Sequence, residues 1–194
     1  ADGNVYFDVT KIADFGALSG NTLDKLREQQ RAVDDPNKRH PQDFVLWFSN
    51  SKFKDHIMKW DSPWGEGYPG WHIECSAMAM KYLSSAFNKT FHPEKFETID
   101  IHTGGEDNKF PHHESEIAQA QGATEKMYVK YWLHVTHLKV DGGKMSKSLG
   151  NFYTLPDITA KGYSLPAIRY TLLSTHYRQA LNFTFESVDA SQQS

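Results

Sequence analysis

Apolar residues in this chain fall into two alternating patterns, short β-like runs and longer stretches at helical spacing. Asn4 to Val9 (NVYFDV) and Asp43 to Phe48 (DFVLWF) are rich in β-branched and aromatic residues and predict strands, the second one buried. Between them, Thr22 is an N-cap candidate for a polar helix, LDKLREQQRAV, ended by Asp35-Pro36. Residues 34–42 read as a charged, turn-rich link, and the Pro and Gly of residues 62–70 (SPWGEGYPG) mark a boundary. A helix is predicted over residues 71–87, with Ile73, Ala77, Met80, Leu83 and Phe87 on one buried face. Residues 88–97 read as a surface excursion. A strand, TIDIH (98–102), and a turn, TGGED, come next; a helix, HHESEIAQAQ, then starts at Pro111 and closes at Gly122. Residues 128–134 and 136–140 are further strand-like runs, and Ser164 and Pro166 open a helix through AIRYTLLST. Strands alternating with helices over residues 71–140 argue an α/β fold with a parallel sheet.

Bulk properties narrow the class of protein. At 194 residues the chain holds one domain, or one and part of another. A hydrophobic content of 39% with 13% aromatics supports a real core and excludes disorder. A net charge of −3 restricts any RNA contact to a local patch. The single cysteine, Cys75, rules out an internal disulfide and fits a reducing cytosol. No run of 18 apolar residues is present, so a soluble, cytoplasmic protein with no membrane partner is expected. The ends, Ala1-Asp2-Gly3 and Gln192-Gln193-Ser194, are expected to be cuts in a longer protein.

Two constellations carry chemistry. Gly142 to Asn151 (GGKMSKSLGN) is expected to be a mobile basic loop leaving a strand, where Lys144 and Lys147 supply charge and Ser146 and Ser148 hydroxyls to a phosphate chain. His112 and Glu116 lie four apart at the start of a helix and project from one face, with His113 and Glu116 as the competing pair. Cys75, near the start of the earlier helix, could join His112 and Glu116 around Zn²⁺; thiolate, imidazole and carboxylate are all accepted zinc ligands.

The string KMSKS resembles the signature loop of class I aminoacyl-tRNA synthetases, which holds the pyrophosphate of ATP. PGWHIECSAM, DIHTGGEDNKFPHHESEIAQ and KMSKSLGNF, in that order, resemble the cysteinyl-tRNA synthetase family. The resemblance runs from GNVYFDV at residues 3–9 to HYRQALNF at 176–183. It implies that Cys75, His112 and Glu116 are three of four zinc ligands, the fourth being a cysteine in an N-terminal half that this chain lacks together with the HIGH motif. It further implies that Trp71 is an aromatic wall beside the substrate side chain, with core packing as the other reading, and that His102 and Thr103 line the same pocket. Gly104 and Asp107 are implied ATP contacts, although Thr103 stands where the family has a first glycine and Asn108 where it has a small apolar residue. Residues 88–97 look like an extra loop of about ten residues relative to common family members, with no function implied.

The implied architecture is the C-terminal half of a Rossmann-like parallel-sheet catalytic domain. Residues 1–62 would be part of a connective insertion, 63–158 the second half of the catalytic domain, and 159–194 the start of a helical region. The implied reaction is activation of L-cysteine by ATP with Mg²⁺, then transfer to tRNA(Cys), by an enzyme that is monomeric at full length. Lys147 would make the main phosphate contact and Lys144 the second, and this chain by itself would be inactive. Arg169, His176, Tyr177 and Arg178 could touch tRNA, or Tyr170, Leu172 and Leu173 could be core with Arg169 a solvated edge. Two alternatives remain: the cysteine ligase of mycothiol biosynthesis, and a non-catalytic zinc- or tRNA-binding module.

Overall fold

The structure, a computed structural model, describes residues 3–23, 25, 37–51 and 55–194. Most of the helix expected after Thr22 lies outside the described residues. The chain divides into two compact units, one of residues 1–102 and 107–132, the other of residues 103–106 and 133–194.

In the first unit, β1 (Val5–Phe7), β2 (Phe44–Phe48) and β3 (Tyr68–Pro69) form an antiparallel sheet with β2 in the middle. Every β2 position is half-buried, so the strand expected to be fully buried is covered less completely than its apolar sequence suggests. The expected first strand is also shorter, because Asp8 caps a 3-10 turn over Val9–Lys11 by accepting from Thr10 N. Helix α1 (Trp71–Tyr82) starts at Gly70, whose N–H donates to Leu46 O of β2 at 2.9 Å.

The buried face of α1 agrees with the periodicity only at Met80 and, half-buried, Ile73. His72, Ser76 and Met80 are buried; Ala77 is exposed, Leu83 is 65% exposed beyond the helix end, and Phe87 belongs to a hairpin of β4 (Phe87–Asn88) and β5 (Thr90–Phe91). The helix turns polar residues inward because a polar site lies there, with Ser76 Oγ and the Gln119 amide 2.6 Å apart. Phe96 anchors the end of the 88–97 excursion in a core with Met80, Ile99, Tyr128 and Val129.

Strands β6 (Ile99–Gly105) and β7 (Val129–Val135) pair and are joined through α2 (His112–Thr124), a β-α-β order. Strand β6 runs on through Gly105, into residues expected to turn, and a 3-10 turn follows over Glu106–Lys109. Helix α2 begins after Pro111 as expected but passes through Gly122 and ends at Glu125, which takes φ 57°. Gly122 instead allows a close approach: a Cβ there would lie 3.4 Å from the Phe7 ring.

In the second unit, β8 (Lys139–Val140) pairs antiparallel with β9 (Gly143–Lys144) and parallel with β10 (Asn182–Phe183). Thr154 forms a capping box with Asp157 at α3 (Leu155–Ala160), and Ser164 caps α4 (Leu165–Leu173) through Ala167 N. Thr184 caps α5 (Phe185–Gln193). The core joins Val140, Ile158, Ala167, Ile168, Phe183 and Val188. Tyr170, Leu172 and Leu173, the alternative core set, are 61%, 47% and 70% exposed, since α4 turns Ala167, Ile168 and Thr171 inward. The result is a mixed α/β architecture. Among the described residues no helix is long and apolar enough to cross a membrane.

Candidate metal centre and phosphate loop

Helices α1 and α2 pack side by side in the first unit and bring the three expected ligands together. One ligand atom each from Cys75, His112 and Glu116 lies within 4.8 Å of the others. The i,i+4 pair on α2 is in direct contact, with His112 Nε2 3.0 Å from Glu116 Oε1. The competing residue, His113, belongs to a second overlapping group with His102 and Glu116, also within 4.8 Å.

Glu116 is fully buried, where a carboxylate is costly unless hydrogen-bonded. It has partners at both oxygens: Tyr128 Oη donates to Oε2 at 3.0 Å, His102 Nε2 lies 3.1 Å from Oε2 and 3.3 Å from Oε1, and His112 Nε2 lies 3.0 Å from Oε1. The other nitrogen of His112 is engaged as well, with Nδ1 2.8 Å from His72 Nδ1. Trp71 stacks on the His112 ring at a centroid distance of 3.9 Å and an interplanar angle of 4°. Trp71 is 53% exposed, which argues against simple core packing.

Burial sets the electrostatics. It pushes the Cys75 thiol up from its ordinary range, helped by the charges of Glu116 and Glu74. It holds the His112 imidazole below its usual range against the opposing pull of Glu116. His72 is pushed down to about 4, by burial first and then by His112, and is therefore neutral at pH 7. Burial and the Glu116 charge raise the Tyr128 phenol, so it stays protonated and donates. A half-buried thiol, a neutral imidazole and a buried carboxylate held by second partners are a donor set that fits Zn²⁺.

The lysine loop belongs to the second unit and is more structured than a loop leaving a strand. Asp141 and Gly142 take φ 50° and 78° in the two-residue turn of the β8–β9 hairpin, so Lys144 ends a strand. Lys147–Leu149 is a 3-10 turn closed by Gly150 at φ 68°. The Asn151 side chain ties the run together, accepting from Ser146 N at 2.9 Å and donating to Lys144 O at 3.0 Å. Met145 packs on the core, whereas Lys144, Lys147 and Ser148 are exposed and Ser146 is half-buried. Lys147 Nζ lies 5.4 Å from the centre of the Phe152 ring.

The remaining expected residues are spread more widely. Thr103 and Gly104 lie on the second part of β6, and Asp107 is exposed on the 3-10 turn after it. Near the chain's end Arg178 Nε donates to Tyr177 Oη at 3.1 Å, and the guanidinium lies over that ring. Sequence reasoning missed His72, Tyr128 and the aromatic neighbour Trp132, whose ring centre is 4.8 Å from that of His102. For His72 a signal existed, since it stands three residues before Cys75 in the WHIEC string. For Tyr128 there was none.

Comparison with known proteins places this geometry in a class. The family described as tRNA synthetases class I (C) catalytic domain matches residues 1–193, and the chain belongs to that family. Among curated relatives, the cysteine--tRNA ligase of Treponema denticola is 48% identical over 99% of this chain and 37% of its own length. The cysteine--tRNA ligase of Chlorobaculum tepidum is 49% identical over 99% of this chain and 37% of its own length. The chain therefore spans under two-fifths of the length of these relatives. A solved ternary complex of Agrobacterium radiobacter K84 agnB2 LeuRS with tRNA and LeuAMS aligns at a TM-score of 0.48. It is 19% identical and covers 70% of this chain and 19% of that one.

Proposed function

We propose that this chain is the zinc- and phosphate-binding part of a cysteine--tRNA ligase, which activates L-cysteine with ATP and Mg²⁺ and transfers it to tRNA(Cys). The observation that carries the reading is the convergence of Cys75, His112 and Glu116 within 4.8 Å, inside a class I synthetase chain. These residues would hold Zn²⁺ together with a ligand from outside this chain. When bound, the ion favours the thiolate of cysteine over the hydroxyl of serine, a distinction of the size that sites built on one polar group achieve, about 10⁴ to 10⁵.

The chain's own residues do the rest by position and charge. Trp71 and His102 flank the ligand atoms and form the wall of the amino-acid pocket, with Thr103 next along β6. Lys147 and then Lys144 take the phosphate charge that grows on the leaving pyrophosphate, with Ser146 and Ser148 as hydroxyl donors and Gly104 and Asp107 on the nucleotide side. In this reading residues 1–62 are part of a connective insertion, 63–158 the second half of the catalytic domain, and 159–194 the start of the helical region that meets tRNA. The protein works in the cytoplasm as a monomer.

The test is cysteine-dependent ATP–pyrophosphate exchange and charging of tRNA(Cys) by the full-length protein. Exchange with cysteine but not serine, and a charged tRNA, support the reading; exchange without acceptance of tRNA overturns the second half of it.

A further inference from the structure

The Glu116 carboxylate sits at the end of a long side chain with three torsions, yet it is held in one place. Its Oε1 faces His112 Nε2 at 3.0 Å and its Oε2 takes the Tyr128 hydroxyl at 3.0 Å, while His102 Nε2 spans the two, 3.1 Å from Oε2 and 3.3 Å from Oε1. The Tyr128 ring is 1% exposed and wedged among Phe96, Trp132 and His102, so packing alone fixes where its hydroxyl points. Its backbone is fixed too, because Tyr128 O accepts from Ile99 N at 3.0 Å.

We propose that Tyr128 is a positioning residue of the metal centre: its hydroxyl occupies Glu116 Oε2 and commits the carboxylate to bind the ion through Oε1 alone. The inference rests on the zinc reading of the site. An anionic oxygen that accepts a hydrogen bond from a fixed hydroxyl is a poorer and less available metal ligand than one without such a donor. Without the Tyr128 donor, Glu116 swings to offer both oxygens. A carboxylate bound by both oxygens occupies a coordination position that a catalytic zinc site keeps open for substrate, here the thiol of cysteine. Tyr128 thus controls both how tightly the ion is held and whether it has room for substrate.

The experiment uses the full-length protein with Tyr128→Phe, which keeps the ring and removes the hydroxyl. Zinc affinity, read by chelator competition, should fall by about 10- to 100-fold. In the Co²⁺-substituted protein the visible d–d bands should weaken as coordination number rises. The sulfur-to-cobalt band of Cys75 should remain, and its growth on adding L-cysteine should shrink. A residue that only filled space would leave the bands and their response to cysteine unchanged. Equal zinc affinity and identical spectra in wild type and variant overturn the proposal. If Tyr128→Phe does not fold, X-ray absorption at the zinc edge of the wild type reads the carboxylate directly, and a Glu116 bound through both oxygens overturns the proposal. Failure of the wild type to take up zinc overturns the zinc reading and this inference together. A zinc-loaded wild type matched by its variant overturns this inference alone.

Discussion

His72 and His112 meet nitrogen to nitrogen, Nδ1 to Nδ1, 2.8 Å apart. At that distance the two rings share one proton, since two protonated Nδ1 atoms would repel and two bare ones would not bond. When His112 donates from Nδ1, its Nε2, 3.0 Å from Glu116 Oε1, carries the lone pair that an ion held between the two would take. His72, neutral because burial holds it near 4, is the acceptor that makes this tautomer favourable. His72→Leu should therefore weaken zinc binding by roughly 10- to 100-fold in a chelator competition. Unchanged affinity would show that His72 plays no part in orienting the ring.

The ligands themselves should behave differently from their supports. Cys75→Ala or His112→Ala is expected to abolish stoichiometric zinc in the purified full-length protein, as read by atomic absorption. Full retention of metal in either variant would sink the ligand assignment.

Lys147→Ala should slow adenylate formation by about 10²- to 10³-fold, the usual cost of one preorganised donor, while cysteine binding changes little. Single-turnover kinetics beside equilibrium cysteine titration separate the two effects. An equal loss in both would count against a phosphate role.

Two glycines should respond with opposite signs. Gly122 lies inside α2 and a Cβ there would make ordinary contacts, 3.4 Å from the Phe7 ring and 4.0 Å from Ile12 Cδ1, so Gly122→Ala should stabilise the chain by about 0.5–1 kcal/mol. A Cβ at Gly70 would lie 2.1 Å from Val45 O, so Gly70→Ala should destabilise by about 1–3 kcal/mol and displace the start of α1. Denaturant unfolding of the two variants decides the matter, and a shared sign would contradict the packing described.

Glu114 is 1% exposed and accepts from Gly16 N at 3.0 Å and Ser19 N at 2.6 Å, clamping an N-terminal loop to the helix that carries His112. Bonds to a charged acceptor contribute about 1.5–3 kcal/mol each. Glu114→Gln should accelerate hydrogen exchange at the Gly16 and Ser19 amides, with the amides of β7 left as they were; unaltered exchange would mean the loop is held by other contacts.

Much of the site was legible because its chemistry repeats in short strings. The spacing of His112 and Glu116 puts them on one helical face by geometry, and KMSKS stands out by its resemblance to the class I synthetase loop. Cys75 could not be joined to them by spacing, since 36 residues separate it from His112 and only the packing of α1 on α2 brings them together. Periodicity failed where the core is polar. Helix α1 buries His72 and Ser76 beside Met80 and exposes Ala77, so a count of apolar residues found only part of the buried face. Helix α4 misled in the same way, turning Thr171 inward to bond Ser191 Oγ at 2.7 Å while Leu173 faces out. Gly122 reads as a helix stop from sequence, because nothing local reveals that Phe7 packs over it.

The single thiol, Cys75, also gives crystallographers a handle. It is half-buried and its proton is held more firmly than usual, so hard alkylating reagents will react slowly at neutral pH. A soft mercury ion displaces that proton readily. In this stretch of chain it would mark one place, on α1 at the metal centre, and so supply a heavy-atom reference beside the chemistry.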